Sequence, residues 1–290
     1  MSSRYDRSVR FFGKEGQEKL RGTKATIVGV GGVGGHAAQQ LALLGLHSIA
    51  LIDAEELDET NRNRYPTARA SDKIPGTPKV DIGERLINEI EPSIEVIKVQ
   101  DSVVSERAFQ CITRSDWVFG CVDSEGARLV LTELCAAYRI PYIDVASDIE
   151  GGAEPRYGGR VCAAIDGDGC LVCLRQLDMA EVQRELGGPE ARKVREAIYG
   201  VDRHQLGRAG PSVASINGVA ASLAVTEFMV HVTGVRKLHR LLIYRANMGT
   251  VSVSWDAADP DCFYCKGVWG LGAAADAERY IRSGIGEFLR

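Results

Sequence analysis

The chain has 290 residues, enough to bury a full core as one large domain or two small ones. Hydrophobic residues make up 45% of it and charged residues 26%, as in ordinary globular proteins. The formal net charge is −4, so composition gives no general reason to expect a nucleic-acid partner. The N-terminal segment lacks the apolar stretch of a signal peptide, and no uninterrupted apolar run reaches the roughly 18 residues of a membrane span. We therefore expect a cytoplasmic protein without a membrane partner.

The first half of the chain, to about residue 147, alternates short apolar segments with helical ones. The pattern predicts strands at 25–30, 48–53, 94–100, 117–122 and 141–146, with helices near 33–45, 78–91, 104–112 and 125–138. Such alternation produces a mostly parallel sheet covered on both faces, with ligands bound beyond the carboxyl ends of its strands. We predict an α/β, Rossmann-like, doubly wound fold in which residues 1–147 bind a nucleotide.

The second half, residues 148–290, has a different pattern. Glycine pairs such as Gly158-Gly159 predict short strands joined by turns up to about residue 170. The charged segment 174–209 predicts a helical or mobile crossover. The segment 211–234 predicts a long apolar helix, and two last strands follow near 241–246 and 251–255. We expect this half to be antiparallel, to belong to the same single domain and to bind a partner.

A glycine loop joins the first predicted strand to the first predicted helix. Its sequence GVGGVG contains the glycines of a nucleotide-binding motif, Gly29, Gly31, Gly32 and Gly34. Backbone amides in such a loop approach phosphates, and the N-terminus of the helix lies behind them. Asp53 ends the second strand, 19 residues after Gly34, where a carboxylate can accept both ribose hydroxyls. We favour nucleotide binding over a tight turn without a ligand.

Polar residues after Asp53 indicate which nucleotide binds. Asn61 can donate amide hydrogen bonds, Arg64 can clamp a phosphate, and Lys79 can place a point charge on one. A solvated loop is the alternative for residues 59–66. A redox cofactor would leave these residues without a role, so the set favours ATP over NAD.

Asp123 follows the predicted strand 117–122 and could hold Mg²⁺ directly or through water. An aspartate at this position can also serve as a helix cap. Arg128, five residues later, is a candidate ion-pair partner for it.

Four of the eight cysteines form two CxxC pairs: Cys170, Cys173, Cys262 and Cys265. Four thiolates in two such pairs make a closed tetrahedral Zn²⁺ site, which is structural because no ligand position remains for water. Two redox-active pairs are the alternative. The other cysteines lie in apolar segments and are expected in the core: Cys111, Cys121, Cys135 and Cys162.

Over about residues 4–265 these motifs resemble the ThiF/MoeB/HesA adenylyltransferases, relatives of the ubiquitin-activating enzymes. The resemblance implies that the chain uses ATP and Mg²⁺ to adenylate the C-terminal glycine carboxylate of a ubiquitin-like or sulfur-carrier protein, releasing pyrophosphate. It also implies a structural Zn²⁺ and a homodimer, and it allows a conjugating enzyme as a further partner. Catalysis would need alignment and charge neutralisation but no general base, because a carboxylate is already a nucleophile.

The resemblance assigns roles to individual residues. The catalytic set it implies is Arg7, Asn61, Arg64, Lys79 and Asp123, in which Arg7 of the RYDR segment reaches the ATP of the other subunit. Some family members carry a cysteine in the crossover that forms a thioester. Residues 174–209 contain no cysteine here, so we expect adenylation without a covalent carrier step.

Three alternatives stay open. The acceptor could be a peptide or a tRNA carboxylate, as for some family members. An NAD-dependent oxidoreductase would explain the glycine loop and Asp53 but neither Arg64 nor the cysteine pairs. A non-catalytic module that uses the nucleotide only for its shape would leave the phosphate-facing residues without a function.

Overall fold

One eight-stranded sheet organises the structure, a computed structural model that describes residues 4–150, 152, 154–187 and 210–287. The strands are β1 (Lys24–Val28), β2 (Ser48–Ile52), β3 (Glu95–Val99), β4 (Trp117–Gly120), β5 (Tyr142–Glu150), β6 (Arg156–Ala164), β7 (Leu241–Arg245) and β8 (Thr250–Val253). The helices are α1 (Asp6–Gly22), α2 (Gly32–Leu44), α3 (Lys79–Ile90), α4 (Glu106–Thr113), α5 (Glu125–Ala137), α6 (Met179–Leu186), α7 (Ala214–Thr233) and α8 (Arg279–Arg282).

The parallel part of the sheet comes from the first half of the chain. The strand order is β3-β2-β1-β4-β5-β6-β7-β8, and the first five of these strands run parallel. The chain winds outward on both sides of β1, so the order reverses between β1 and β4. A crevice opens there at the carboxyl ends of the strands, where doubly wound sheets bind ligands. The predicted fold class is confirmed.

The antiparallel part continues the same sheet through β6, β7 and β8. The predicted turn at Gly158-Gly159 is wrong, because both glycines lie inside β6. A Cβ atom at Gly158 would lie 1.9 Å from the carbonyl oxygen of Tyr244, and one at Gly159 would lie 2.5 Å from that of Ala146. Close approach of the neighbouring strands therefore requires glycine at both positions.

Helix α7 packs against α2 and against strands β5 and β6. It begins at Ala214, so Pro211 lies in the segment before it and not at its first residue as predicted. It ends at Gly234, whose φ of 78° gives the expected left-handed C-cap. Within the described residues, α7 is the one helix with the length and hydropathy of a membrane span. Its Ala221 and Phe228 are nevertheless fully buried in the core.

Two further regions extend the predicted pattern. Helix α1, which the sequence pattern did not indicate, is kinked at Gly13, where φ is 78°. Helix α6 accounts for the first part of the crossover, and the remainder of that predicted segment, 188–209, lies outside the described residues. The division into a nucleotide-binding half and a partner-binding half stays a prediction.

Candidate functional site

A cleft of about 590 Å³ opens at the carboxyl ends of the parallel strands. The glycine loop, the ends of β2, β4 and β5, strand β6 and the segment before α7 all contribute to its walls. The predicted residues that line it are Gly29, Gly31, Gly32, Asp53, Asn61, Arg64, Lys79 and Asp123. Of the predicted residues, Gly34 and Arg7 are described but are not part of this lining.

The glycine loop places the N-terminus of α2 against the cleft. Gly29 has a φ of 85°, and a Cβ atom there would lie 2.6 Å from the carbonyl oxygen of Cys121. A Cβ atom at Gly34 would lie 1.9 Å from the carbonyl oxygen of Gly29, so Gly34 is required for packing. Gly31 is the N-cap residue of α2. Because it has no side chain, it does not cap the first amides of the helix, and the space at its Cβ position is open. The first amides of α2 can therefore face an anion in the cleft.

Asp53 presents a half-buried carboxylate beside this loop. Its Oδ2 accepts a hydrogen bond from the Val30 amide at 2.7 Å, and its Oδ1 accepts one from the Glu55 amide at 2.8 Å. Burial raises the pKa of Asp53, against the opposing effects of Lys79 and the two amides. Each oxygen retains a further lone pair, so the carboxylate can also accept ribose hydroxyls.

Asn61 and Arg64 belong to a short helical turn after β2. The Asn61 Oδ1 accepts a hydrogen bond from the Asp58 amide at 3.0 Å, which leaves the Nδ2 group as the donor that can face the cleft. The Arg64 guanidinium donates to the carbonyl oxygen of Thr60. Both residues line the cleft, and their contact with a nucleotide stays a prediction.

Lys79 is the first residue of α3 and is buried in the wall of the cleft. Its ammonium contacts the carboxylate of Glu55. The hydroxyl of Tyr65 donates to the Lys79 carbonyl oxygen at 3.0 Å, which fixes the start of the helix beside Arg64. A buried cation thus lines the same cleft as the N-terminus of α2.

Asp123 is exposed at the end of β4. The cap of α5 is Ser124, whose Oγ accepts a hydrogen bond from the Ala127 amide at 3.1 Å, so Asp123 is not the helix cap. The suggested ion pair with Arg128 is also wrong, because Arg128 contacts Glu125 and Asp144 instead. The Asp123 carboxylate therefore remains on the cleft surface, where it could hold a cation.

Sequence reasoning missed a buried ion-pair group on the floor of the cleft. Asp144 of β5 is fully buried and pairs with Arg160 of β6 at 2.5 Å and with Arg128 of α5 at 3.3 Å. The Tyr142 hydroxyl donates to the same carboxylate at 2.9 Å. Both arginines line the cleft. No motif marks these residues, and Arg160 follows a glycine pair that suggested a turn.

A second missed group surrounds Asn217 in the first turn of α7. Its Oδ1 accepts a hydrogen bond from the Ser147 hydroxyl at 2.8 Å, and its Nδ2 donates to Ser212 Oγ at 3.0 Å. A Cβ atom at Gly32 would lie 2.4 Å from this Nδ2 atom. Asn217 therefore joins β5, the segment before α7 and the glycine loop at one end of the cleft. Asn217 is the one side-chain amide in this mostly apolar helix, and that was the available sequence signal.

The four cysteines of the CxxC pairs come together away from the cleft. Their Sγ atoms all lie within 4.8 Å of one another, with Cys170 to Cys262 at 3.7 Å and Cys173 to Cys265 at 3.8 Å. Tetrahedral Zn²⁺ with bonds of about 2.3 Å places its sulfur ligands about 3.8 Å apart, whereas a disulfide needs about 2.05 Å. The arrangement fits Zn²⁺ and joins the segment after β6 to the segment after β8.

The remaining cysteines divide into two groups. Cys135 and Cys162 are buried in the core as predicted, and Cys111 is half-buried. Cys121 is also half-buried and packs against the core, and in addition it lines the cleft beside Gly29. Burial raises the pKa of the Cys121 thiol, which keeps it protonated at neutral pH.

Known proteins share this sequence pattern and fold. The molybdopterin-synthase adenylyltransferase of Escherichia coli K12 is 30% identical over 178 residues, 60% of this chain and 68% of that protein. The vegetative HesA protein of Trichormus variabilis is 31% identical over 147 residues, 50% of this chain and 55% of that protein. The chain thus spans little more than half the length of this HesA relative.

Among solved structures, E. coli MccB with MccA-N7isoASN has the same fold, with a TM-score of 0.70 and 19% identity over 91% of this chain and 75% of that chain. A family model described as the ThiF family matches residues 5–263. This match covers most of the chain and contains the glycine loop, the cleft residues and the first three cysteines of the cluster. The chain therefore belongs to the ThiF family.

Proposed function

We propose that the chain is an ATP-dependent adenylyltransferase that activates the C-terminal glycine carboxylate of a ubiquitin-like or sulfur-carrier protein. The observation that carries this proposal is the presence of Arg64 and Lys79 in the same cleft as the glycine loop and Asp53. The loop and Asp53 alone would suit any ribonucleotide. The two additional cations suit a triphosphate, because hydrogen bonds between a charged donor and a phosphate are stronger than hydrogen bonds between neutral groups.

In the proposed reaction, a carboxylate oxygen of the substrate attacks the α-phosphorus of ATP. A new O–P bond forms, the bond between the α-phosphorus and the bridging oxygen breaks, and pyrophosphate leaves with that electron pair. The amides of α2 together with Asn61, Arg64 and Lys79 would bind the phosphates and neutralise the charge that accumulates on the leaving group. Asp53 would fix the ribose, and no residue needs to remove a proton.

The charge of the cleft supports a requirement for Mg²⁺. Among the described residues, the cations that line it are Arg64, Lys79, Arg128 and Arg160, and the carboxylates are Asp53, Glu55, Asp101, Asp123, Glu125, Asp148 and Asp178. The lining thus has a formal charge of −3, which would repel free ATP. Asp123, which has no hydrogen bond or ion pair within the described part of the chain, is the residue we assign to Mg²⁺. The ion would neutralise phosphate charge.

A homodimer is part of the proposal because of the position of Arg7. This residue lies exposed on α1, outside the cleft of its own chain. If Arg7 contributes to catalysis, it must do so at the ATP of a second subunit. We further propose a structural Zn²⁺ at the four cysteines, a cytoplasmic location and, as an open partner, a conjugating enzyme.

We propose adenylation without a thioester on this chain. Cys121 is the cysteine that lines the cleft, and burial raises the pKa of its thiol, so it is a poor nucleophile at neutral pH. The crossover sequence 174–209 contains no cysteine at all. The acyl-adenylate would then pass to a nucleophile on another molecule.

A peptide carboxylate is the second candidate substrate. The structural relative MccB was solved with MccA-N7isoASN, and this chain has the same fold. A peptide and a carrier-protein tail offer the same terminal carboxylate to the cleft, so the chemistry is unchanged. The two substrates can be separated by testing both in one assay.

The proposal is tested by substrate-dependent exchange of labelled pyrophosphate into ATP. The substrates are a ubiquitin-fold protein ending in Gly-Gly and a short peptide with a free carboxylate. We expect Arg64→Ala and Asp123→Ala each to reduce exchange by at least about 100-fold. The matched controls are Arg282→Ala and Asp276→Ala, which remove the exposed ion pair between Arg282 of α8 and Asp276 in the segment before it, and both should leave exchange unchanged. Full exchange in both cleft variants, with an intact fold by circular dichroism, would contradict the assigned roles.

A further inference from the structure

The lysine proposed to bind phosphate already has an anionic partner. The Lys79 ammonium contacts the Glu55 carboxylate, and both residues line the nucleotide cleft. Their exposure differs strongly: the Lys79 side chain is 8% exposed and the Glu55 side chain 54%. Of the two, only Glu55 can move its charged group into water without a large desolvation cost.

Backbone hydrogen bonds hold these two residues opposite each other. The Lys79 amide donates to the Glu55 carbonyl oxygen at 3.0 Å, and the Leu57 amide donates to that of Thr77 at 2.8 Å. Glu56 and Pro78 form an isolated antiparallel bridge between the same two segments. The Glu55 carboxylate is therefore tethered beside the ammonium, at a high effective concentration.

The position of Lys79 in α3 increases its need for an anion. It is the first residue of a 12-residue helix whose N-cap, Pro78, provides no side-chain cap. A cation at the positive end of a helix is unfavourable, whereas an anion there is stabilised. Either the Glu55 carboxylate or a phosphate can supply the negative charge that stabilises both the positive end of the helix and the buried ammonium.

We propose that Glu55 is an internal competitor of ATP for Lys79. In the empty cleft the Glu55 carboxylate holds the ammonium. A phosphate of ATP displaces it, and Glu55 moves into solvent. Glu55 re-engages Lys79 when pyrophosphate leaves, so it lowers the affinity for the triphosphate and favours release of the product. This inference rests on the nucleotide site of the proposed function but requires no particular acyl substrate.

The test is calorimetric titration of the purified full chain with ATP and Mg²⁺, without an acyl substrate. Glu55→Gln should bind ATP more tightly, with a Kd lower by roughly 3- to 10-fold, as expected when a partly exposed competing ion pair is removed. The matched control is Glu56→Gln. It makes the same charge change at the next residue, which is exposed and absent from the cleft lining, and its Kd should stay within about twofold of the unaltered protein.

A double-mutant cycle separates competition from simple repulsion. In a Lys79→Met background, Glu55→Gln should improve ATP binding by no more than about twofold, the limit set for the Glu56→Gln control, because the ammonium for which the two anions compete is gone. An equal gain in that background would mean that Glu55 acts by repulsion alone and would overturn the inference. An unchanged Kd in Glu55→Gln would overturn it as well while leaving the proposed function intact. Failure of the unaltered chain to bind ATP would overturn both.

Discussion

Arg160 and Asp144 form an ion pair of 2.5 Å, between Nη1 and Oδ2, where the parallel part of the sheet meets the antiparallel part. Arg160 also donates through Nη2 to the carbonyl oxygen of Gln176 at 2.8 Å, shortly after the first CxxC pair. Asp144 in turn contacts Arg128 of α5. One buried carboxylate thus links strand β6, helix α5 and, through Arg160, the segment that approaches the cysteine cluster.

Removal of this carboxylate should destabilise the fold strongly. Asp144→Ala leaves Arg128 and Arg160, with side chains only 10% and 14% exposed, without their shared anion. We expect the free energy of unfolding in denaturant to fall by about 3–5 kcal/mol. The control is Asp148→Ala on the same strand, an exposed residue whose loss should cost less than about 0.5 kcal/mol. A loss below about 1 kcal/mol for Asp144→Ala would contradict a structural role for the pair.

The parts of the cleft that the sequence predicted correctly share one physical origin. Asp53 and Asp123 end apolar strands, and parallel strands bring their carboxyl ends to one edge. The glycine loop and the start of α3 at Lys79 are likewise local features. Their proximity therefore followed from the alternating pattern alone.

The parts that the sequence did not predict depend on contacts between distant segments. Arg160 reaches Asp144 through antiparallel pairing, and Asn217 meets Ser147 across 70 residues of chain. The glycines at 158–159 suggested a turn because glycine is common in turns, but their role is close approach of neighbouring backbones. Periodicity carries no information about these contacts, so only the tertiary structure reveals them.

Asp72 should make stability depend on pH at the acidic end. Arg85 donates to both of its oxygens, at 2.6 and 2.9 Å, and this hydrogen bonding holds the pKa of Asp72 below its usual value. A lowered folded-state pKa stabilises the fold above the unfolded pKa, and the contribution is lost as pH falls through the folded value. Asp72→Asn should therefore lower the free energy of unfolding by about 1–2 kcal/mol at pH 7. The difference in stability between this variant and the unaltered chain should shrink below about pH 4.

The measurement is thermal unfolding of both proteins between pH 7 and pH 3. Asp276→Asn is the control, because its ion pair with Arg282 is exposed on both sides and should contribute little at any pH. If the difference in unfolding temperature between Asp72→Asn and the unaltered chain stays constant down to pH 3, protonation of Asp72 does not change the stability, and the prediction is contradicted.

Two glycines of the loop should respond differently to alanine. Gly31 has open space at its Cβ position, so Gly31→Ala should fold normally but place a methyl group where the phosphates approach α2, weakening ATP binding by about tenfold or more. Gly34→Ala would put its Cβ atom 1.9 Å from the Gly29 carbonyl oxygen and should fail to fold stably. Calorimetry and thermal unfolding distinguish the two effects. Unaltered ATP affinity in Gly31→Ala would argue against phosphates at this helix end.

The cysteine cluster should contain one Zn²⁺ per chain that stabilises the fold. Elemental analysis of the purified protein tests the stoichiometry, and prolonged chelation should lower the unfolding temperature. Cys262→Ser should lose the metal, whereas Cys111→Ser, outside the cluster, should retain it. A metal-free protein with the same unfolding temperature would contradict a structural zinc site and favour the redox alternative.

The most direct test of adenylation is the identity of the products formed from ATP. The full chain is incubated with ATP, Mg²⁺ and a ubiquitin-fold protein ending in Gly-Gly, and hydroxylamine is added to trap an activated carboxylate. We predict AMP and pyrophosphate in equal amounts, with one hydroxamate at the terminal glycine for each AMP. Formation of ADP and phosphate would contradict the proposed attack at the α-phosphorus and with it the function assigned to this cleft.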